Sequence, residues 1–203
     1  MGFGWLMIGY FAVNIMALYQ PLSMIMLIGY PMMIAGLFRL APYEKRFHIS
    51  RDLSFLTIPF AIYYALFGLS SIGILPPLSF FDGIGADIVE WCYFALTLAL
   101  HALILWGIAE LTRELSLFTF QSAALRNLIF VMIYHLLYLI ISLPLSSAFA
   151  PHFAVAVMIL RLLCVFLNLW LFFKCHRIII PEESMILPAD GQDAPKSKSK
   201  ENT

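Results

Sequence analysis

The chain has 203 residues, 62% of them hydrophobic and 12% charged, with a mean hydropathy of +0.90. Soluble domains carry roughly twice that charged fraction, so an ordinary soluble domain is excluded and a membrane protein is indicated. The 12 basic and 12 acidic residues balance to zero, and no basic face interleaved with aromatics occurs, which excludes a nucleic-acid partner.

A transmembrane helix needs about 20 mostly apolar residues, and six runs meet or approach that length. The first covers 1–19. Its opening, MGFGWLMIGYFAV, lacks a basic n-region and a small-residue cleavage site, so it reads as a retained helix and not a signal peptide. Gln20-Pro21-Leu22-Ser23 is a helix-breaking turn that makes a hairpin with the second span, 24–40. Both spans contain the string Ile-Gly-Tyr, at Ile8-Gly9-Tyr10 and Ile28-Gly29-Tyr30, a coincidence expected in so apolar a chain. Gly29 and Gly36 lie seven apart on one face of span 2, where small residues permit close helix approach, and Pro31 is expected to kink it.

The charged stretch APYEKRFHISRD at 41–52 reads as a loop before span 3, 53–74. Pro59 is expected to kink that span and Pro76-Pro77 to end it. LSFFDGIGAD follows as an acidic, glycine-rich connection with a turn at Asp82-Gly83 and an interfacial Phe80-Phe81. Span 4, 87–116, is longer than a bilayer requires, so Glu110, Arg113 and Glu114 project as a stub, with Glu110 within pairing reach of Arg113. Span 5, 123–143, stops before Pro144, and the uncharged PLSSAFAP joins it to span 6, 152–174. Residues 1–180 therefore form one transmembrane domain. The polar, lysine- and serine-repetitive stretch 181–203 is expected to be a disordered cytoplasmic tail, in which Glu182-Glu183 is a solvated acidic pair.

Six spans place both termini on one side. Arg39, Lys45, Arg46, Arg51, Arg113, Arg126, Lys174 and Arg177 all flank that side, whereas the three opposite turns have no Lys or Arg, so by the positive-inside rule both termini are cytoplasmic. Trp5, Trp106 and Trp170 fall near cytoplasmic ends and Trp91 near an external end, where amphipathic rings sit. The expected class is an all-α, polytopic transmembrane bundle of six helices in the plasma membrane, with the lipid bilayer as its first partner.

Spans 4, 5 and 6 each bring an ionisable group toward mid-membrane: His101, His135 and Arg161. A central arginine costs about 2.5–3.5 kcal/mol on insertion scales, so Arg161 is expected to face the bundle and find polar neighbours there. At helical spacing Glu90, Tyr93, Thr97 and His101 form one stripe, His135, Tyr138 and Ser142 a second, and Arg161, Cys164 and Asn168 a third. His101 and His135 lie at similar depths, about 13 Å from the cytoplasmic boundary. The candidate polar interior is thus Glu90, Tyr93, Thr97, His101, His135, Tyr138, Arg161 and Asn168.

Three uses of this group remain open: hydrogen bonds that fix helix packing, a path for a solute, ion or proton, and axial ligation of a b-type haem by His101 and His135. No HExxH, GxSxG, P-loop or dinucleotide fingerprint occurs, so the chain is read as non-enzymatic and no cofactor is assigned. Cys92, Cys164 and Cys175 lack metal or redox spacing and are small packing residues. The functional expectation is a structural or regulatory membrane component that acts through a membrane-protein partner or a second copy of itself, with a small permease or channel as the rival. The opening MGFGWLMIGYF, the second IGY and the stretch CHRIIIPEES resemble an uncharacterised group of small bacterial multi-pass membrane proteins. That resemblance implies a bacterial membrane protein and carries no function or site residue with it.

Overall fold

The computed structural model describes residues 2–76, 83–142 and 150–179. Within them lie seven α-helices and no strand: α1 Gly2–Asn14, α2 Met26–Leu40, α3 Lys45–Phe55, α4 Ile58–Ser71, α5 Ile84–Glu114, α6 Phe118–Ser142 and α7 Ala150–Ile178. Four stretches are long and apolar enough to cross a membrane: Gln20–Leu40, α5, α6 and Phe153–Ile178. The bent pair α3 and α4 qualifies as a fifth when taken as one span.

The first expected span differs from its prediction. Its α-helix stops at Asn14 and gives way to 3-10 turns at Met16–Leu18 and Gln20–Ile25 before α2 begins. Thirteen residues of α-helix rise only about 20 Å. The Asn14 side chain turns back to donate to the Tyr10 carbonyl, 3.0 Å away, an alternative partner for the backbone that asparagine commonly offers at helix ends. Proline then favours the tighter turn at Gln20-Pro21, where its fixed φ suits the start of a helical segment. The hairpin between α1 and α2 is present, and glycines set its spacing. A Cβ at Gly9 would lie 2.5 Å from the Gly29 carbonyl oxygen, and one at Gly36 would lie 2.6 Å from the Leu6 nitrogen. The two Ile-Gly-Tyr strings therefore meet across one helix pair, with Tyr10 and Tyr30 both buried beside them. Helix α2 continues unbroken through Pro31 to Leu40.

The charged stretch 41–52 is a loop only as far as Glu44, whose carboxylate caps α3 by accepting from the Arg46 N–H. Helix α3 extends to Phe55 and is bent by 43° from α4. Pro59 explains the position of the break, because proline has no N–H to give to the Phe55 carbonyl and its ring crowds that group. Ser50, Ser54 and Thr57 reinforce the bend by donating back to the carbonyls of Arg46, Ser50 and Ser54 at 2.6–2.8 Å. Helix α4 ends at Ser71, before the prolines. Gly73 at φ 77° forms the left-handed cap, with Ile74 N–H bonded to the Leu69 carbonyl.

The connection between α5 and α6 is only Leu115–Leu117, and α6 starts at Phe118, five residues earlier than expected. Ser116, at φ 58°, occupies the same kind of cap, and Leu117 N–H reaches the Thr112 carbonyl at 2.8 Å. Helix α7 likewise overruns 152–174 at both ends. Phe80-Phe81, Asp82, most of the PLSSAFAP turn and the tail 181–203 lie outside the described residues.

One end of the bundle gathers the basic residues and is closely packed. Phe47 is fully buried there against Phe3, ring centroids 6.3 Å apart, and a Cβ at Gly107 would come within 2.9 Å of its ring. Arg46 stacks over Trp106 at 4.6 Å, Lys174 lies over Trp170 at 5.2 Å and Arg39 over Trp5 at 5.8 Å. Glu110 pairs with Arg113, as its spacing predicts, and lies 3.7 Å from Arg46. Leu6, Leu37, Ile104, Ile108 and Phe172 complete an apolar core below the polar half of the bundle.

Candidate functional site

Above that core the helices part around a cavity of ≈ 240 Å³. Seven of the eight candidate residues line it: Glu90, Tyr93, Thr97 and His101 from α5, His135 and Tyr138 from α6, and Arg161 from α7. Asn168 does not. It is fully buried two turns further along α7, where its Nδ2 donates to the Tyr10 hydroxyl at 2.8 Å and its Oδ1 has no hydrogen-bond partner. The three stripes thus share an interior, and His101 and His135 are level, with ring centroids 6.1 Å apart.

Sequence reasoning missed the wall contributed by α1, α2 with the 3-10 segment before it, and α4. Tyr10 and Asn14 enter from α1, Ser23 and Met26 from the 3-10 segment and the start of α2, and Tyr64 from α4. The signal was available in span 1, where Tyr10 and Asn14 are one turn apart in an otherwise apolar run. Irregular backbone at 15–25 is consistent with this position, since non-helical chain at membrane depth is tolerated where it is buried in protein or borders a polar cavity. Ser23 holds the segment down by donating to the Tyr64 carbonyl at 2.6 Å.

Both imidazoles are anchored in the same way. His101 Nδ1 lies 2.7 Å from the Thr97 carbonyl and His135 Nδ1 lies 2.8 Å from the Val131 carbonyl. A carbonyl only accepts, so Nδ1 carries the proton in each ring and Nε2 is left for another partner. Aromatic rings fix the ring planes: Tyr10 meets His101 edge-on at 5.2 Å, and Phe94 lies 5.0 Å from His135. Most cavity hydroxyls are also committed. Tyr30 and Tyr93 share a hydrogen bond of 2.8 Å, and Tyr138 donates to Glu90 Oε1 at 2.8 Å. The hydroxyls of Tyr64 and Tyr134 make no hydrogen bond among the described residues, and both rings border the cavity.

Arg161 is half-buried and lines this space. It acts electrostatically on Tyr10, Tyr93, His101, Tyr134 and His135. The expected hydrogen-bond acceptor, however, is not engaged. Among the described residues Arg161 makes no hydrogen bond and has no carboxylate within 4.0 Å; Glu90, on the same cavity, accepts from Tyr138. The guanidinium therefore sits in a polar, low-dielectric recess with its donors uncommitted.

The recess suits a small solute. Pockets that enclose drug-sized ligands measure roughly 300–1,000 Å³, and a porphyrin between His101 and His135 would have to displace the Tyr10 and Phe94 rings packed on them. Among the described residues no three His, Cys, Asp or Glu side chains converge to hold a metal ion. Comparison with known proteins finds no matching family model, no matching curated protein and no matching solved structure.

Proposed function

We propose that this chain is a multi-pass plasma-membrane protein that binds a small polar solute inside its helical bundle, as a permease does. Its six crossings are α1 with its 3-10 continuation, α2 with the 3-10 segment before it, the bent pair α3–α4, and α5, α6 and α7. Both termini are cytoplasmic. The clustering of basic residues and tryptophans at one end supports that orientation. The cavity then lies in the external half of the membrane and the apolar core closes the cytoplasmic half.

The observation that carries the reading is Arg161 facing a ≈ 240 Å³ cavity with no carboxylate within 4.0 Å among the described residues. A role confined to packing would pair the guanidinium with a carboxylate or a carbonyl, since an uncommitted charge in the membrane interior is costly. A bound solute supplies that partner. Thermal unfolding of the purified protein against a panel of small organic anions, cations and neutral solutes tests this. A binding solute at ten times its Kd stabilises by about 1.4 kcal/mol. A panel that leaves the midpoint unmoved contradicts the reading and returns the chain to a structural component acting through partners.

A further inference from the structure

The cavity's chemistry narrows the class of solute. Arg161 presents a planar fork of donors, the geometry that matches a carboxylate with two parallel hydrogen bonds. An anion answers the guanidinium's charge as well as its donors, and charge-assisted pairs of this kind are roughly twice as strong as neutral hydrogen bonds. Among the described residues the one acid lining the cavity, Glu90, already accepts from Tyr138 at 2.8 Å. Much of the remaining wall is aromatic: Tyr64 and Tyr93 meet at a tilt with centroids 4.9 Å apart, and Phe94 stacks on Tyr138 at 5.3 Å, with Val13, Val131 and Val165 adding aliphatic surface. The uncommitted Tyr64 and Tyr134 hydroxyls add two further hydrogen-bonding groups.

We propose that the solute is a small organic monoanion, a carboxylate on a flat apolar body, with its carboxylate on Arg161 and its body between the rings of α4, α5 and α6. This rests on the solute-binding reading given above. The volume sets the scale at molecules smaller than a typical drug. Glu90 contributes selectivity, because a second negative charge on the same solute would share the cavity with its carboxylate.

Three near-isosteres separate charge from shape: benzoate, benzamide and benzylammonium. Their binding to the purified full-length protein is measured by equilibrium dialysis at matched ionic strength, with chloride as competitor. Benzoate is expected to bind saturably, with benzamide and benzylammonium weaker by roughly tenfold or more. Arg161→Gln should lower benzoate affinity by a similar factor, and Arg161→Lys should recover part of it, a charge dependence that a purely structural arginine would not give. Benzamide or benzylammonium binding as tightly as benzoate overturns the carboxylate assignment and leaves solute binding intact. Displacement of benzoate by equimolar chloride overturns the organic part of the assignment. Binding of none of the three aromatic solutes overturns the organic-monoanion assignment, while the thermal panel described above decides solute binding itself. If Arg161→Gln does not fold, the benzoate-to-benzamide ratio on the wild-type protein decides the assignment.

Discussion

Replacing Gly36 by alanine drives a methyl group into the backbone of α1. The new Cβ would lie 2.6 Å from the Leu6 nitrogen, 2.8 Å from the Gly2 carbonyl oxygen and 3.0 Å from the Leu6 Cα. Ordinary carbon contacts are optimal at about 3.5–4.0 Å, so α1 and α2 must part by close to 1 Å, and neither contact is a side chain that could swing aside. Overpacking of this kind costs about 1–3 kcal/mol. The alanine returns about 1 kcal/mol through better helix propensity, leaving a net loss of up to about 2 kcal/mol. At this chain length that lowers the melting midpoint by up to roughly 8 °C, and by more relative to a glycine-to-alanine change that meets no clash. Gly85→Ala is the control, because a Cβ there meets nothing within 4 Å, and it should leave stability equal or raised. Thermal unfolding of both variants in the same detergent reads the difference. A Gly36→Ala protein as stable as Gly85→Ala would refute the close approach of α1 and α2. The consequence reaches the site, since Tyr10, which touches His101 and Asn168, rides on the helix that moves.

Other substitutions test separate parts of the bundle. Tyr30→Phe and Tyr93→Phe each remove half of the one hydrogen bond that joins their hydroxyls, and a double-mutant cycle in unfolding free energy should return a coupling of about 0.6–2 kcal/mol; a coupling of zero would mean the bond is not formed. Ser116→Gly relieves a left-handed residue at the α5 cap and should stabilise by about 0.5–1 kcal/mol in the same assay, so a loss of stability would count against the cap. Reporters fused after Tyr43, Leu117 and Arg177 should be cytoplasmic and those after Gly83 and Ser147 external; an external reporter at Arg177 would break the six-crossing topology.

The long apolar runs of α5, α6 and α7 were legible because nothing interrupts their composition, and the helical period alone aligned Glu90, Tyr93, Thr97 and His101 on one face of α5. The depth of the two histidines followed from counting residues, and the structure brings them side by side. Helix ends were less legible. Residues 45–52 read as a loop from their charge, yet Glu44, Glu110 and Asp52 pair with Arg46 and Arg51 and let α3 form outside the apolar run. Ser116 carries no glycine to signal its left-handed turn, which hid the shortness of the α5–α6 connection. The contribution of α1 was missed because Tyr10 and Asn14 are two polar residues in a hydrophobic helix, with no group charged near neutral pH to draw attention to them. That Asn168 binds Tyr10 instead of facing the cavity depends on how α1 packs against α7, which no local pattern in either helix encodes.

Thr97 offers the most direct access to the cavity, because its hydroxyl only donates back to the Phe94 carbonyl at 2.9 Å and cysteine nearly matches its size. In a background with Cys92, Cys164 and Cys175 replaced by alanine, Thr97→Cys is exposed in intact cells to membrane-impermeant methanethiosulfonates, one anionic and one cationic. A water-filled, externally open cavity governed by Arg161 predicts modification from outside, faster with the anionic reagent, with that preference lost in Arg161→Gln. A thiol that reacts with neither reagent until the protein is unfolded would mean the space is closed and dry, and the solute-binding account would be wrong.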